Sequence, residues 1–146
     1  MENGFTLFEI LLVVTLVAIL ATTLFGLPVR FADSLGADAA IQTVGVAAER
    51  AQSLAYAMVG DQAWSIHVAS SSAVVFQGAT YASRDESADE VFVFPVSISV
   101  ATASDNDIIF GKGTGVPAGD ATIRLMRNDL DREVTISSGG LIFYAP

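Results

Sequence analysis

The chain has 146 residues, 52% of them hydrophobic, with 7 Lys and Arg against 16 Asp and Glu, a formal net charge of −9. That length suits one domain with its own core. Residues 29–146 hold all 7 cations but 14 of the acids, 7 − 14 = −7, so their surface repels phosphate backbones, and the absence of cysteine excludes a disulfide framework or a thiolate metal site.

Residues 4–20 read GFTLFEILLVVTLVAIL, and Glu9 is the only charge among them. From Ile10 to Leu27 the chain runs 18 residues without a charge, the length of a helix that spans a bilayer. A carboxylate in such a run costs about 2.5–3.5 kcal/mol at the centre of an inserted helix, so Glu9 calls for a partner. A secretory signal peptide accounts for the segment poorly. Its n-region, Met1-Glu2-Asn3, has no basic residue, and Ala21-Thr22-Thr23 is a weak cleavage site.

Gly4, Phe5, Thr6, Leu7, Phe8 and Glu9 with the apolar run behind them resemble the class III signal of type IV pilins and type II secretion pseudopilins. The resemblance implies that a prepilin peptidase cuts after Gly4 and N-methylates Phe5, which leaves Glu9 as the fifth residue of the mature chain. Phe5 would then carry a cationic amine, with a reference pKa near 8. Pairing of Glu9 with Phe5 of a neighbouring subunit would favour assembly and set axial register.

Beyond Pro28, Ala37, Ile41, Val44, Ala48, Ala51, Ala55 and Met58 recur at helical spacing and form one face, mostly of alanine, which a sheet can approach closely. Gly60-Asp61 is the stop signal. The Gly26-Leu27-Pro28 stretch is expected to bend or locally melt the helix. A helix over residues 5–59 is roughly 80 Å long, far longer than a small head needs.

After Gly60 the period becomes two. Trp64/Ile66/Val68, Val96/Ile98/Val100, Ile123/Leu125 and Val134/Ile136 alternate with polar residues, and short apolar runs at Val74–Phe76, Val91–Phe94, Ile108–Phe110 and Leu141–Tyr144 add further strands. Turn signals lie at Arg84–Ser87, Asp105–Asp107 and Asn128–Asp131. The expectation is an α+β chain with a long N-terminal helix packed on an antiparallel sheet head. Its divisions are a leader at 1–4, a transmembrane or filament-core half-helix at 5–28, an amphipathic half at 29–60 and the head at 61–146.

Ala48-Glu49-Arg50-Ala51 and Ala55, Ile108-Ile109-Phe110 before a glycine-rich loop, Ile123-Arg124-Leu125, Arg132–Ile136 and Gly139-Gly140 look like the H-type pseudopilins of type II secretion and the related FimT-like minor pilins. The implied fold is the pilin fold, and the implied role is a structural subunit, minor rather than major, of a pilus or pseudopilus. The implied partners are other pilin subunits, the prepilin peptidase and an inner-membrane assembly platform. The chain would sit in the inner membrane with its head outside the cytoplasm, and later in the filament.

Other constellations are read blandly. Gly111-Lys112-Gly113-Thr114-Gly115 lacks the strand–loop–helix context and spacing of a P-loop and is expected to be a turn. Asp105-Asn106-Asp107 and Asp129 with Asp131 match no calcium loop and are expected to be solvated turns; no metal and no cofactor is anticipated. His67, the sole histidine, alternates out of phase with its apolar neighbours and is expected to face solvent, with no catalytic role. The rival reading is a FimT-like tip subunit that binds DNA or a secreted substrate. Arg124, Arg127 and Arg132 are its candidate nucleic-acid contacts, disfavoured by the nearby Asp129, Asp131 and Glu133 and by the acidic head.

Overall fold

A computed structural model of the chain describes residues 6–95, 98–102, 107–128 and 130–145, with side chains described for all of these except 23–33 and 101–102. Two compact units divide the chain, Met1–Ser34 and Leu35–Pro146, and each is taken by itself. Among the described residues one long helix, α1 (Leu7–Tyr56), precedes eight strands, so the chain is α+β with antiparallel sheets. The backbone of α1 is helical through Gly26-Leu27-Pro28, where a bend or local melting was expected, so the helix does not melt there.

Helix α1 opens on Thr6, whose hydroxyl accepts the Glu9 amide at 3.3 Å. It ends two residues before the expected face does. Met58 takes a left-handed φ of 53°, Gly60 follows at 69°, and the Trp64 indole donates to the Val59 carbonyl across the turn. Met58 therefore leaves the buried face, while Ala37, Ile41, Val44, Ala48, Ala51 and Ala55 keep to it.

In the larger unit, β1 (Trp64–Val68), β2 (Ser72–Gln77), β3 (Glu90–Val93) and β5 (Asp107–Phe110) form one antiparallel sheet in the order β3-β2-β1-β5. The strands β4 (Ser99–Thr102), β6 (Ala121–Arg127), β7 (Leu130–Ile136) and β8 (Ile142–Ala145) form the other, in the order β4-β6-β7-β8. Of the residues expected to alternate at Val96/Ile98/Val100, Val100 lies in β4, Ile98 stands just before it, and Val96 lies outside the described residues. The core joins the alanine face of α1 to Ile66, Val68, Val75 and Phe110 of the first sheet and to Ile123, Leu125, Val134 and Ile136 of the second. Alanine on the helix lets two sheets approach it at close range, so the large side chains of the core come from the strands.

Two turns differ from expectation. The connection between β6 and β7 takes only residues 128–129, since Arg127 already pairs with Leu130, and Asn128 takes a positive φ of 54° as tight hairpin connections favour. The glycine-rich loop is a turn, as anticipated, but it is also a helix cap. Its Gly113 amide donates to the Ala55 carbonyl at 2.8 Å, which satisfies one of the carbonyls that a helix end leaves open. Gly115 stands at φ +65°, and a Cβ there would meet the Gln52 carbonyl oxygen at 2.8 Å. That close backbone approach explains a glycine there without any phosphate.

Candidate functional site

Every described residue from Thr6 to Leu20 is exposed, around the whole circumference of the helix. Eleven large apolar side chains are among them, from Leu7 at 84% exposure to Leu12, Val13 and Leu20 at 52%. Thr15 and Thr22, the other polar side chains described in α1 up to residue 22, turn their hydroxyls back to the Leu11 and Ile19 carbonyls at 2.7 and 2.8 Å. Their hydrogen-bonding needs are met within the helix, as an apolar environment requires.

Glu9 is the exception. Its backbone amide is bound by Thr6, but no described residue pairs with its carboxylate. The helix N-terminus favours a negative charge in this first turn, and Thr6 three residues before Glu9 makes the T-x-x-E pattern of a capping box. Sequence reasoning passed over that signal. Gly4 and Phe5, the expected cleavage and methylation positions, lie outside the described residues. Among the described residues no helix is long and apolar enough to cross a membrane, and the expected span continues past Thr22 into residues whose side chains are not described.

The three arginines offered as nucleic-acid contacts do not form one cluster. Arg124 stands opposite Glu133 in the β6–β7 register, whereas Arg132 stands opposite the buried Leu125 and so points to the other face of the sheet. Arg127, half-buried at the hairpin end, shares the face of Leu125 by alternation. Arg124 bridges Asp131 and Glu133 at 3.2 and 3.3 Å, and Arg132 crosses to Asp38 on α1 at 2.7 Å. Lys112 is engaged by Asp61, and Arg50 chelates Glu90 through two guanidinium nitrogens. Those Arg50 hydrogen bonds hold the Glu90 carboxyl below its ordinary range.

The expectation for His67 is corrected. Strand β1 is central to its sheet and covered on both faces, so even Ser65 is fully buried. His67 is half-buried, its Nδ1 lies 2.6 Å from Asp107 Oδ1, and its ring stacks on Tyr81 with centroids 3.9 Å apart. Arg84 lies 3.7 Å from the centroid of the same Tyr81 ring, and two groups this close must occupy opposite faces. Asp107 Oδ2 accepts the Tyr81 amide, the Arg84 guanidinium donates to the Tyr81 carbonyl, and Asp89 closes the set on Arg84 Nε at 2.8 Å. Asp107, expected in a turn, is therefore a strand residue that anchors the segment over the sheet. Asp105, Asn106 and Asp129 lie outside the described residues.

An acid and an imidazole are thus paired, yet no described hydroxyl hydrogen-bonds to the ring, and Ser65 gives its hydroxyl to the Gly78 carbonyl. Among the described residues no group of three His, Asp or Glu side chains is placed to hold a metal ion. Compared with protein-family models, curated proteins and solved structures, the chain matches none.

Proposed function

We propose that this chain is a non-enzymatic structural subunit, of the minor kind, of a type IV pilus or type II secretion pseudopilus. In this reading a prepilin peptidase cleaves after Gly4 and N-methylates Phe5. The helix anchors the chain in the inner membrane with the head outside the cytoplasm, and the assembly platform then moves it into a filament of like subunits. The observation that carries the reading is the wholly exposed apolar surface of residues 7–20 around one carboxylate without a described partner.

Magnitudes favour burial of that surface. Eleven side chains exposed by half or more stand to gain on the order of 10 kcal/mol in lipid or against other helices, against about 2.5–3.5 kcal/mol for the acid. The apolar term wins even with Glu9 unpaired. A cationic amine on the next subunit would remove most of the remaining cost, which makes Glu9 a register device for assembly rather than a determinant of insertion. The ion pairs of Arg124 and Arg132 and the division of the three arginines between two sheet faces leave the DNA-binding alternative without support of its own.

The test is the intact mass and N-terminal sequence of the native protein from membrane and sheared-filament fractions. N-methylated Phe5 at the mature terminus is the expected result. An intact Met1 in every fraction, or a new end near Thr23, would overturn the proposal.

A further inference from the structure

Between the turn after α1 and the segment that follows β2 lies a cleft of about 400 Å³, within the range of small-ligand sites. Its walls are held firmly. On one side Gly78 leads into the segment pinned through Tyr81, which is clamped between His67 and Arg84 and bonded at both its amide and its carbonyl. On the other side Gly60 takes a φ of +69°, and a Cβ there would collide with the Gln77 side-chain amide, so the glycine lets that amide lie flat against the turn.

The chemistry of the lining is uniform. Gln62 and Gln77 contribute carboxamides and Thr80 and Ser83 hydroxyls, and none of these four side chains is hydrogen-bonded to another described residue. The two charged groups in the wall are already satisfied. Arg84 is spent on Asp89 and the Tyr81 carbonyl, while Asp85 accepts from the Ser87 hydroxyl and amide, which keep its carboxyl below the ordinary range. The cleft therefore presents converging groups that both donate and accept, with no uncommitted charge.

We infer that this cleft binds a neutral carbohydrate. Sugar hydroxyls need partners that donate and accept at once, which carboxamides and hydroxyls supply, and the methyls of Ala79 and Thr80 offer contact to sugar C–H groups. A peptide would need a free strand edge or an apolar pocket, and β2, whose end forms the floor, is paired with β1 along its length and with β3 over Ser72–Val75, which leaves only Phe76 and Gln77 open on one side, too short an edge for strand addition. An anion would meet no free cation and a net acidic chain. Both faces of Tyr81 are covered, so no aromatic platform is left for stacking, and binding falls in the millimolar range. The inference is independent of the filament reading, since it rests on the head alone.

The test uses the full chain, ¹⁵N-labelled, in a zwitterionic detergent that has no sugar headgroup. It is titrated with maltose, lactose and the β-1,4 disaccharide of N-acetylglucosamine. The expected result is a saturable shift of the Gln62 and Gln77 side-chain amides with at least one of them. Gln62→Ala and Ser83→Ala should each weaken it by about tenfold or less, as loss of one neutral hydrogen bond does, while Gln42→Ala, outside the cleft, leaves it unchanged. No saturable shift up to about 50 mM of any of the three, on the millimolar scale expected here, would overturn the inference. So would equal effects of all three substitutions, or tighter binding of sialyllactose or of a neutral Gly/Ser/Asn peptide.

Discussion

The stretches 7–22 and 34–56 of α1 meet the same need in opposite ways. In the second, the face of Ala40, Val44, Ala47, Ala48 and Ala51 is fully buried within its own unit. In the first, Leu, Ile, Val and Phe are exposed by half or more. The more hydrophobic stretch is the one left uncovered. What decides burial here is shape: small residues let strands approach, whereas a helix bulky on every side offers no face for a monomer to cover. In the proposed reading, lipid or other helices serve as the core of the first stretch.

That contrast can be broken from either side. The largest expected effect is from Phe110→Ala, which empties a fully buried position in the head and should cost about 3–5 kcal/mol in thermal unfolding of the detergent-solubilised chain. Phe8→Ala, the same change at 74% exposure, should stay within about 0.5 kcal/mol; an equal loss at the two sites would abolish the distinction. Next comes Ala51→Leu, which should overpack the helix–sheet contact by about 1–3 kcal/mol, where a Leu already sits harmlessly at Leu12.

Glu9→Gln sharpens the comparison differently. It should leave the unfolding of the head unchanged and reduce recovery in sheared filaments to near zero; normal filament yield would show that the carboxylate has no part in assembly. Arg132→Ala should cost about 1 kcal/mol, by loss of the half-buried pair with Asp38 and of its packed stem.

The smallest effect is pH-dependent. Because Arg50 lowers the folded-state pKa of Glu90, the pair contributes stability above the unfolded value of about 4.3, and that contribution is lost as pH falls through the folded value. Glu90→Gln should lower Tm by a few degrees at most at neutral pH and converge with the unaltered protein in acid. Exposed pairs are worth little, so a larger difference would mean that Glu90 does more than meet Arg50.

Strands were legible wherever one face was buried and the other was not. Ile123/Leu125 and Val134/Ile136 could be placed from alternation alone. His67 was misjudged for the reason that such alternation worked elsewhere: β1 is covered on both faces, and a period-two pattern carries no information about what lies over the second face. The arginines appeared to cluster because they are near in sequence, whereas side chains alternate along a strand, so the odd spacing from Arg124 to Arg127 along β6 and the even spacing from Arg124 to Arg132 across the two-residue hairpin both separate Arg124 from the others. The pairing of the glycine-rich loop with the end of α1 joins residues 58 positions apart, Gly113 and Ala55, and no local pattern reports that. At Glu9 the pattern was local: the anomalous acid was read directly, and the T-x-x-E signal of its Thr6 cap, though local too, was passed over.

The order in which the strands are dealt to the two sheets bears on how the head forms. Strand β4 belongs to one sheet, β5 to the other and β6 to the first again, so the chain passes between sheets twice within about thirty residues. The β6–β7 hairpin closes over two residues and can form in about 1–10 μs. The pairing of β1 with β5 joins residues 40 apart, as His67 and Asp107 are, and must wait for a longer search. Sheet completion is therefore interlocked: β5 cannot settle without fixing the path into β6, and β4 cannot settle without fixing the path into β5. A head threaded in this way should melt in a single transition, with no state in which one sheet survives the other.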